Sequence, residues 1–154
     1  IKQAILMLGL LELRQWVYML AMREANSNCN NDIFKELMFA SLFRAKACEI
    51  SARLNYKKNY SEYFLVGLFS LIDSLLQRPV NVIVTQLPLA EDILETISGS
   101  QTDMTPYLQF STALSKLDWE NLMPLADQLN ISTDEILPMY EEVKVWVNDT
   151  LNMK

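Results

Sequence analysis

The chain has 154 residues, a net charge of −6, no histidine, 51% apolar residues, and only three glycines and five prolines. That is enough chain for one globular domain with one core, and too apolar for disorder. The scarcity of turn residues argues against an all-β fold. The missing histidine excludes Ser-His-Asp and Cys-His catalysis and His-based zinc or iron sites, and the acidic balance disfavours sequence-independent binding of nucleic acid.

Residues 4–23 set Ile5, Leu8, Trp16, Met19 and Leu20 at helical spacing, and Gly9 within them suggests close approach of another helix. The chain opens at Ile1 inside this apolar pattern, so it is expected to be a fragment of a longer protein. NSNCNND (26–32) is a loop in which Asn31 or Asp32 can cap a second helix over 33–54. Its apolar positions are Phe34, Leu37, Met38, Leu42, Ala45 and Cys48, and its polar positions include Lys35, Arg44, Lys46, Glu49 and Arg53. NYKKNYS (55–61) is a polar turn with Ser61 as the expected cap of a third helix over 62–77.

The third helix contains FLVGLFSLID (64–73), apolar nearly all round, which marks a buried central helix. Gly67 again suggests a tight crossing, and Pro79 ends the element. VNVIVTQL (80–87) is β-branched, but a lone strand would have no partner, so it reads as a short helix. Pro88 opens a helix over 89–98, stopped by Gly99. Thr105 and Pro106 read as N-cap and first helical residue of a helix to Leu117. Asp118 caps a helix to Leu129 that Pro124 is expected to kink or divide. Ser132 and Glu135 have capping-box spacing before a last helix through Leu151, with a local distortion expected at Pro138. The product is an all-α bundle of seven or eight helices in a single domain, residues 1–154.

Several features have an ordinary reading beside a functional one. LPLAEDI (87–93) and MPLADQL (123–129) look alike at a helical-repeat offset, and two similar helix starts account for them. Residues 1–78 carry ten Lys/Arg against seven Asp/Glu, and residues 79–154 carry three against twelve. The halves can attract each other or dock different partners, but solvated faces explain the split equally. Cys29 and Cys48 lack CxxC spacing and read as a reduced, cytoplasmic pair. No apolar run approaches the ~20 residues that span a bilayer, so no membrane span is expected. The pairs Glu91-Asp92, Asp134-Glu135 and Glu141-Glu142 read as helix starts or exposed faces rather than metal ligands. Met7, Met19, Met22, Met38, Trp16, Trp119 and Trp146 fall on apolar helical positions, as core or as a Met-rich docking groove. No P-loop, GxGxxG or EF-hand pattern occurs, and no cofactor is implied.

The order of three segments resembles a known family. IKQAILMLGLLELRQWVYML (1–20), LFRAKACEISARL (42–54) with Arg44, Ala45 and Glu49, and YFLVGLFSLIDSLLQRPV (63–80) are similar to motifs of the HDOD domains, the HD-related output domains of bacterial signalling proteins. The likeness is greatest to the branch found C-terminal to EAL domains in cyclic di-GMP signalling, and LPLAEDI and Asp118-Trp119 follow in the expected order. The resemblance implies an HD-like helical bundle from which the N-terminal part of the family domain is missing. Aligned on Gly67, Ser70 and Leu71 occupy the positions of the His-Asp metal pair of catalytic relatives. Leu71 cannot bind a metal and Ser70 is a poor ligand, which implies a non-catalytic descendant with no metal.

Asp73, charged in a mostly buried helix, needs a partner such as Arg44, Lys46 or Arg78. A polar cluster of Arg44, Glu49, Ser70 and Asp73 is therefore expected, as a structural ion pair or as a degenerate pocket for a ligand or a partner's side chain. The resemblance implies a non-enzymatic regulatory domain that acts through a partner protein or an EAL phosphodiesterase domain in the same polypeptide. The alternative is a small-molecule sensor using the degenerate HD pocket. Two further readings stand behind these. One is a residual carboxylate-based phosphohydrolase. The other is a nucleic-acid module using Arg44, Lys46, Arg53, Lys57 and Lys58.

Overall fold

The computed structural model describes residues 31–85 and 89–152. The helix expected over 4–23, Cys29, Gly9, Trp16 and the first three methionines lie outside the described residues.

Eight helices and no strand make up the described residues: α1 (Asn31–Leu54), α2 (Tyr60–Phe69), α3 (Ile72–Leu76), α4 (Val80–Val84), α5 (Glu91–Ile97), α6 (Thr105–Lys116), α7 (Trp119–Gln128) and α8 (Thr133–Asn152). The protein is an all-α bundle. α1 is its axis, packed against α2, α6 and α8, while α7 rests on α6. Phe43, Phe69, Phe110, Leu114, Leu122 and Val143 are fully buried in one core. A smaller cluster of Met38 and Leu75 joins the start of α1 to α3.

The crossing of α1 and α2 is set by Gly67. A methyl group there would meet Arg44 C, Arg44 O and Ala45 N at 2.5 Å, so only glycine lets the two backbones lie this close. This is the tight crossing that the sequence suggests.

Several boundaries differ from expectation. The helix read over 62–77 is two helices. α2 ends at Phe69, Ser70 is its C-cap, and Leu71, with φ −113° and ψ 18°, is the non-helical residue from which α3 restarts. The Ser70 hydroxyl donates to the Gly67 carbonyl at 2.7 Å, a local bond that competes with the helical ladder. α2 begins at Tyr60 rather than after Ser61, with Asn59 at the N-cap and its amide donating to Glu62 Oε2 at 3.0 Å. Thr105 is the first residue of α6, not its cap. Its hydroxyl accepts from the Thr102 amide at 2.9 Å and donates to the Ser100 carbonyl at 3.2 Å, so it organises the preceding loop instead.

Pro124 and Pro138 lie inside α7 and α8, which run on without division. MPLADQL therefore forms the end of α7 with Leu129 as its C-cap, whereas Ala90 of LPLAEDI is the N-cap of α5, so Ala90 and Ala126 are not structural equivalents. Asp118 does cap α7, and Glu135 accepts from the Ser132 amide at 2.9 Å as the capping box requires. Among the described residues no helix is long and apolar enough to cross a membrane. Trp119, expected in the core, is 42% exposed, because α7 buries Leu122 and Ala126 instead. Trp146 does pack, edge-on to Phe64 at 6.1 Å.

Candidate functional site

The helix break at Ser70 opens onto a cleft of about 580 Å³. Arg44 of α1 and Ser70 form one side. α6 supplies Leu108, Thr112 and Lys116, a stripe at four-residue spacing, with Gln109 and Ala113 beside it. The turn and α7 close it with Asp118, Asn121, Pro124 and Leu125.

Arg44 reaches this place because Gly67 brings α2 against its own backbone, and one turn later Ser70 faces its side chain. Arg44 Nη1 donates to Ser70 Oγ at 3.4 Å, a long bond. Its Nε is buried with no hydrogen-bond partner. Burial lowers the Arg44 pKa from its ordinary value, yet an arginine stays protonated in proteins, so the cost is borne as a poorly satisfied cation. Among the described residues no carboxylate forms an ion pair with it. The one carboxylate in the cleft, Asp118, accepts from the Asn121 amide at 3.4 Å and from Asn121 Nδ2 at 2.7 Å.

Of the four residues expected to cluster, Arg44 and Ser70 meet and the other two lie elsewhere. Glu49 accepts from Lys46 at 3.2 Å and from Arg53 at 2.5 Å, forming a small ion network on its own helix. Asp73 is exposed, and its carboxylate accepts from the Ser74 amide at 2.8 Å. The reason is the break: α3 restarts in a new phase that buries Ile72, Leu75 and Leu76 and turns Asp73 outward. We expect Asp73→Asn to change stability by less than about 0.5 kcal/mol, read by chemical denaturation. A larger loss would mean that Asp73 holds a buried partner after all. Leu71 does not line the cleft, whereas Ser70 does.

Of the basic residues Arg44, Lys46 and Arg53 of α1, Arg44 stands apart from the other two. Lys46 lies over the Trp146 ring at 5.0 Å and Arg53 over Tyr60 at 4.6 Å, both tied to Glu49, while Arg44 lines the cleft. Gln109, Lys116 and Asn121 escaped the sequence reading. Lys116 ends the Leu108–Thr112–Lys116 stripe and, like Gln109 and Asn121, looks like part of any solvated helix edge.

Cys48 is wholly buried beside this region, with Sγ 3.4 Å from Ser111 Oγ and 3.6 Å from the Tyr107 carbonyl. Burial pushes its thiol from 9.0 up to about 12. The protonated thiol is the form the fold accepts, so its stabilising contribution is complete below about pH 9 and is lost as pH rises towards about 12. In a Cys29→Ser background, Cys48 is expected to resist thiol reagents at neutral pH and to react only as fast as the protein unfolds. Rapid labelling of the folded state would refute this. Among the described residues no group of three or more His, Cys, Asp or Glu is placed to hold a metal ion.

No family model matches the chain, and no solved structure matches it. Two curated proteins do. The chain is 32% identical over all 154 residues to uncharacterized protein YuxH of Bacillus subtilis (strain 168), covering 37% of that protein. It is 28% identical over 116 residues, 75% of its own length, to the cyclic di-GMP phosphodiesterase CdgJ of Vibrio cholerae, covering 27% of that protein. The chain thus spans about a third of the length of the curated relatives it matches.

Proposed function

We propose that this chain is a non-catalytic regulatory domain of HDOD type in a cytoplasmic bacterial signalling protein. On this reading it modulates an attached or partner cyclic di-GMP phosphodiesterase of the EAL class. The observation that carries the reading is the pair of matches just given. The chain aligns over most or all of its length with proteins roughly three times as long, and one of them is a cyclic di-GMP phosphodiesterase. The length left over in those relatives has room for a separate catalytic domain. The order of the sequence motifs and the all-α bundle agree with this.

The site residues support a role without catalysis. The positions that would carry a His-Asp pair hold Ser70, spent on the Gly67 carbonyl and on Arg44, and Leu71, which the cleft does not reach. A cation of the protein's own occupies the same neighbourhood. The chain's part would then be to offer helical surface to its partner domain and shift that domain between two states.

The test compares cyclic di-GMP hydrolysis by the full-length protein with and without residues 1–154. Regulatory coupling predicts a change of at least about fivefold in rate. An unchanged rate overturns regulation of an attached enzyme, and an unchanged rate of a separate phosphodiesterase assayed with and without the protein overturns the partner form. A second reading, a small-molecule sensor, is favoured by one observation, the open cleft around Arg44.

A further inference from the structure

We infer that the cleft beside the Ser70 break binds a small organic anion, a carboxylate or phosphate head on a partly apolar body, with Arg44 as the headgroup contact. The inference deepens the sensor reading and rests on it for its biological purpose. The binding claim itself stands on the cleft.

The first argument is the state of Arg44. Its guanidinium carries five N–H donors, and among the described residues it finds one acceptor, the Ser70 hydroxyl at 3.4 Å. The nitrogen furthest inside, Nε, has no acceptor. A part-buried cation this poorly satisfied is costly, and it is retained most readily where an anion completes it. The fork geometry of arginine suits a carboxylate or a phosphate taken by two parallel bonds.

The second argument is the rest of the wall. Lys116 adds a second, exposed cation, and Gln109 and Asn121 add side-chain amides. Asp118 is the one opposing charge, and Asn121 already donates to it twice. Leu108, Pro124 and Leu125 make an apolar flank. The volume of about 580 Å³ lies within the range of small-molecule sites and exceeds what one carboxylate side chain of a partner would fill. An anionic head against Arg44 with an apolar body against Leu108, Pro124 and Leu125 matches this lining.

Bound anion would tie α1, the α2–α3 break, α6 and α7 together, since each contributes to the wall. That is the arrangement by which a small ligand stiffens a bundle.

The experiment measures thermal shift and calorimetric binding on the full-length protein with three anionic probes, inorganic phosphate, GMP and benzoate. Guanosine and benzamide serve as neutral counterparts. GMP or benzoate is expected to bind saturably with a Kd below about 1 mM, and its neutral counterpart is not. Arg44→Gln is expected to weaken binding at least about tenfold, and Lys116→Gln by about threefold. Absence of saturable binding by any anionic probe overturns the inference. So does an Arg44→Gln protein, folded by circular dichroism, that keeps its Kd within about twofold. If Arg44→Gln does not fold, Lys116→Glu decides, because Lys116 is exposed. It must weaken binding more than Lys116→Gln does, and equal binding overturns the inference. The regulatory reading is judged separately by the hydrolysis comparison, so the two can fail independently.

Discussion

Gly67→Ala is expected to destabilise the protein by about 2 kcal/mol, lowering the melting temperature by about 4–8 °C. The added methyl group would sit 2.5 Å from three backbone atoms of α1, at Arg44 and Ala45. Backbone in the middle of a long helix cannot step aside as a flexible side chain can. The two helices must therefore separate, at a cost of about 3 kcal/mol in strain and lost packing. Alanine recovers about 1 kcal/mol of helix propensity, which sets the net figure. Gly99→Ala is the informative comparison. Gly99 has nothing within 4 Å of its missing side chain, but its φ is +99°, so it fails for backbone conformation and not for room. It should cost about 1 kcal/mol and leave the α1–α2 crossing intact. Urea denaturation of the three proteins separates the cases. A neutral or stabilising Gly67→Ala would show that the crossing has slack, and the placement of Ser70 against Arg44 would lose its cause.

Arg44→Met is expected to act in opposite directions on two observables. Binding of the anionic probes should be lost, because methionine keeps the straight apolar stem and removes the donors and the charge. Stability should rise by about 1 kcal/mol, because a part-buried guanidinium with one long bond and an unpaired Nε is replaced by a group that needs no partner. Exposure of the outer guanidinium to water keeps this gain small. A residue that costs stability where it stands and is needed for binding fits the usual trade between stability and activity. A fall in stability of more than about 2 kcal/mol would make Arg44 a structural residue. Its bond to Ser70 would then be the purpose of the contact.

The all-α class was determined by the sequence itself. Three glycines and five prolines in 154 residues leave too few turns for a sheet protein, and the apolar spacing is helical almost throughout. Two caps were equally legible, since Asp118 and the Ser132–Glu135 pair act within one helical turn, whereas Ser61 and Thr105 lie inside their helices. The glycine crossing could be foreseen as a crossing, though not with what partner. Chemistry based on histidine was excluded by composition alone.

The tertiary structure decided what local pattern cannot carry. FLVGLFSLID reads as one continuous helix, and the break at Ser70–Leu71 is invisible in it because every residue there is compatible with a helix. That break reset the phase of the chain and sent Asp73 to solvent, while the Gly67 crossing brought Ser70 to Arg44 across 26 residues. Glu49 went to Lys46 and Arg53 because they lie on its own face of α1, where a pair forms without any tertiary contact. The cleft joins residues from α1 to α7, so no window of sequence contains it. Periodicity and capping are local and can be read in order along a chain. The meeting of an arginine with a distant serine depends on how closely two helices cross, and a single missing methyl group sets that distance.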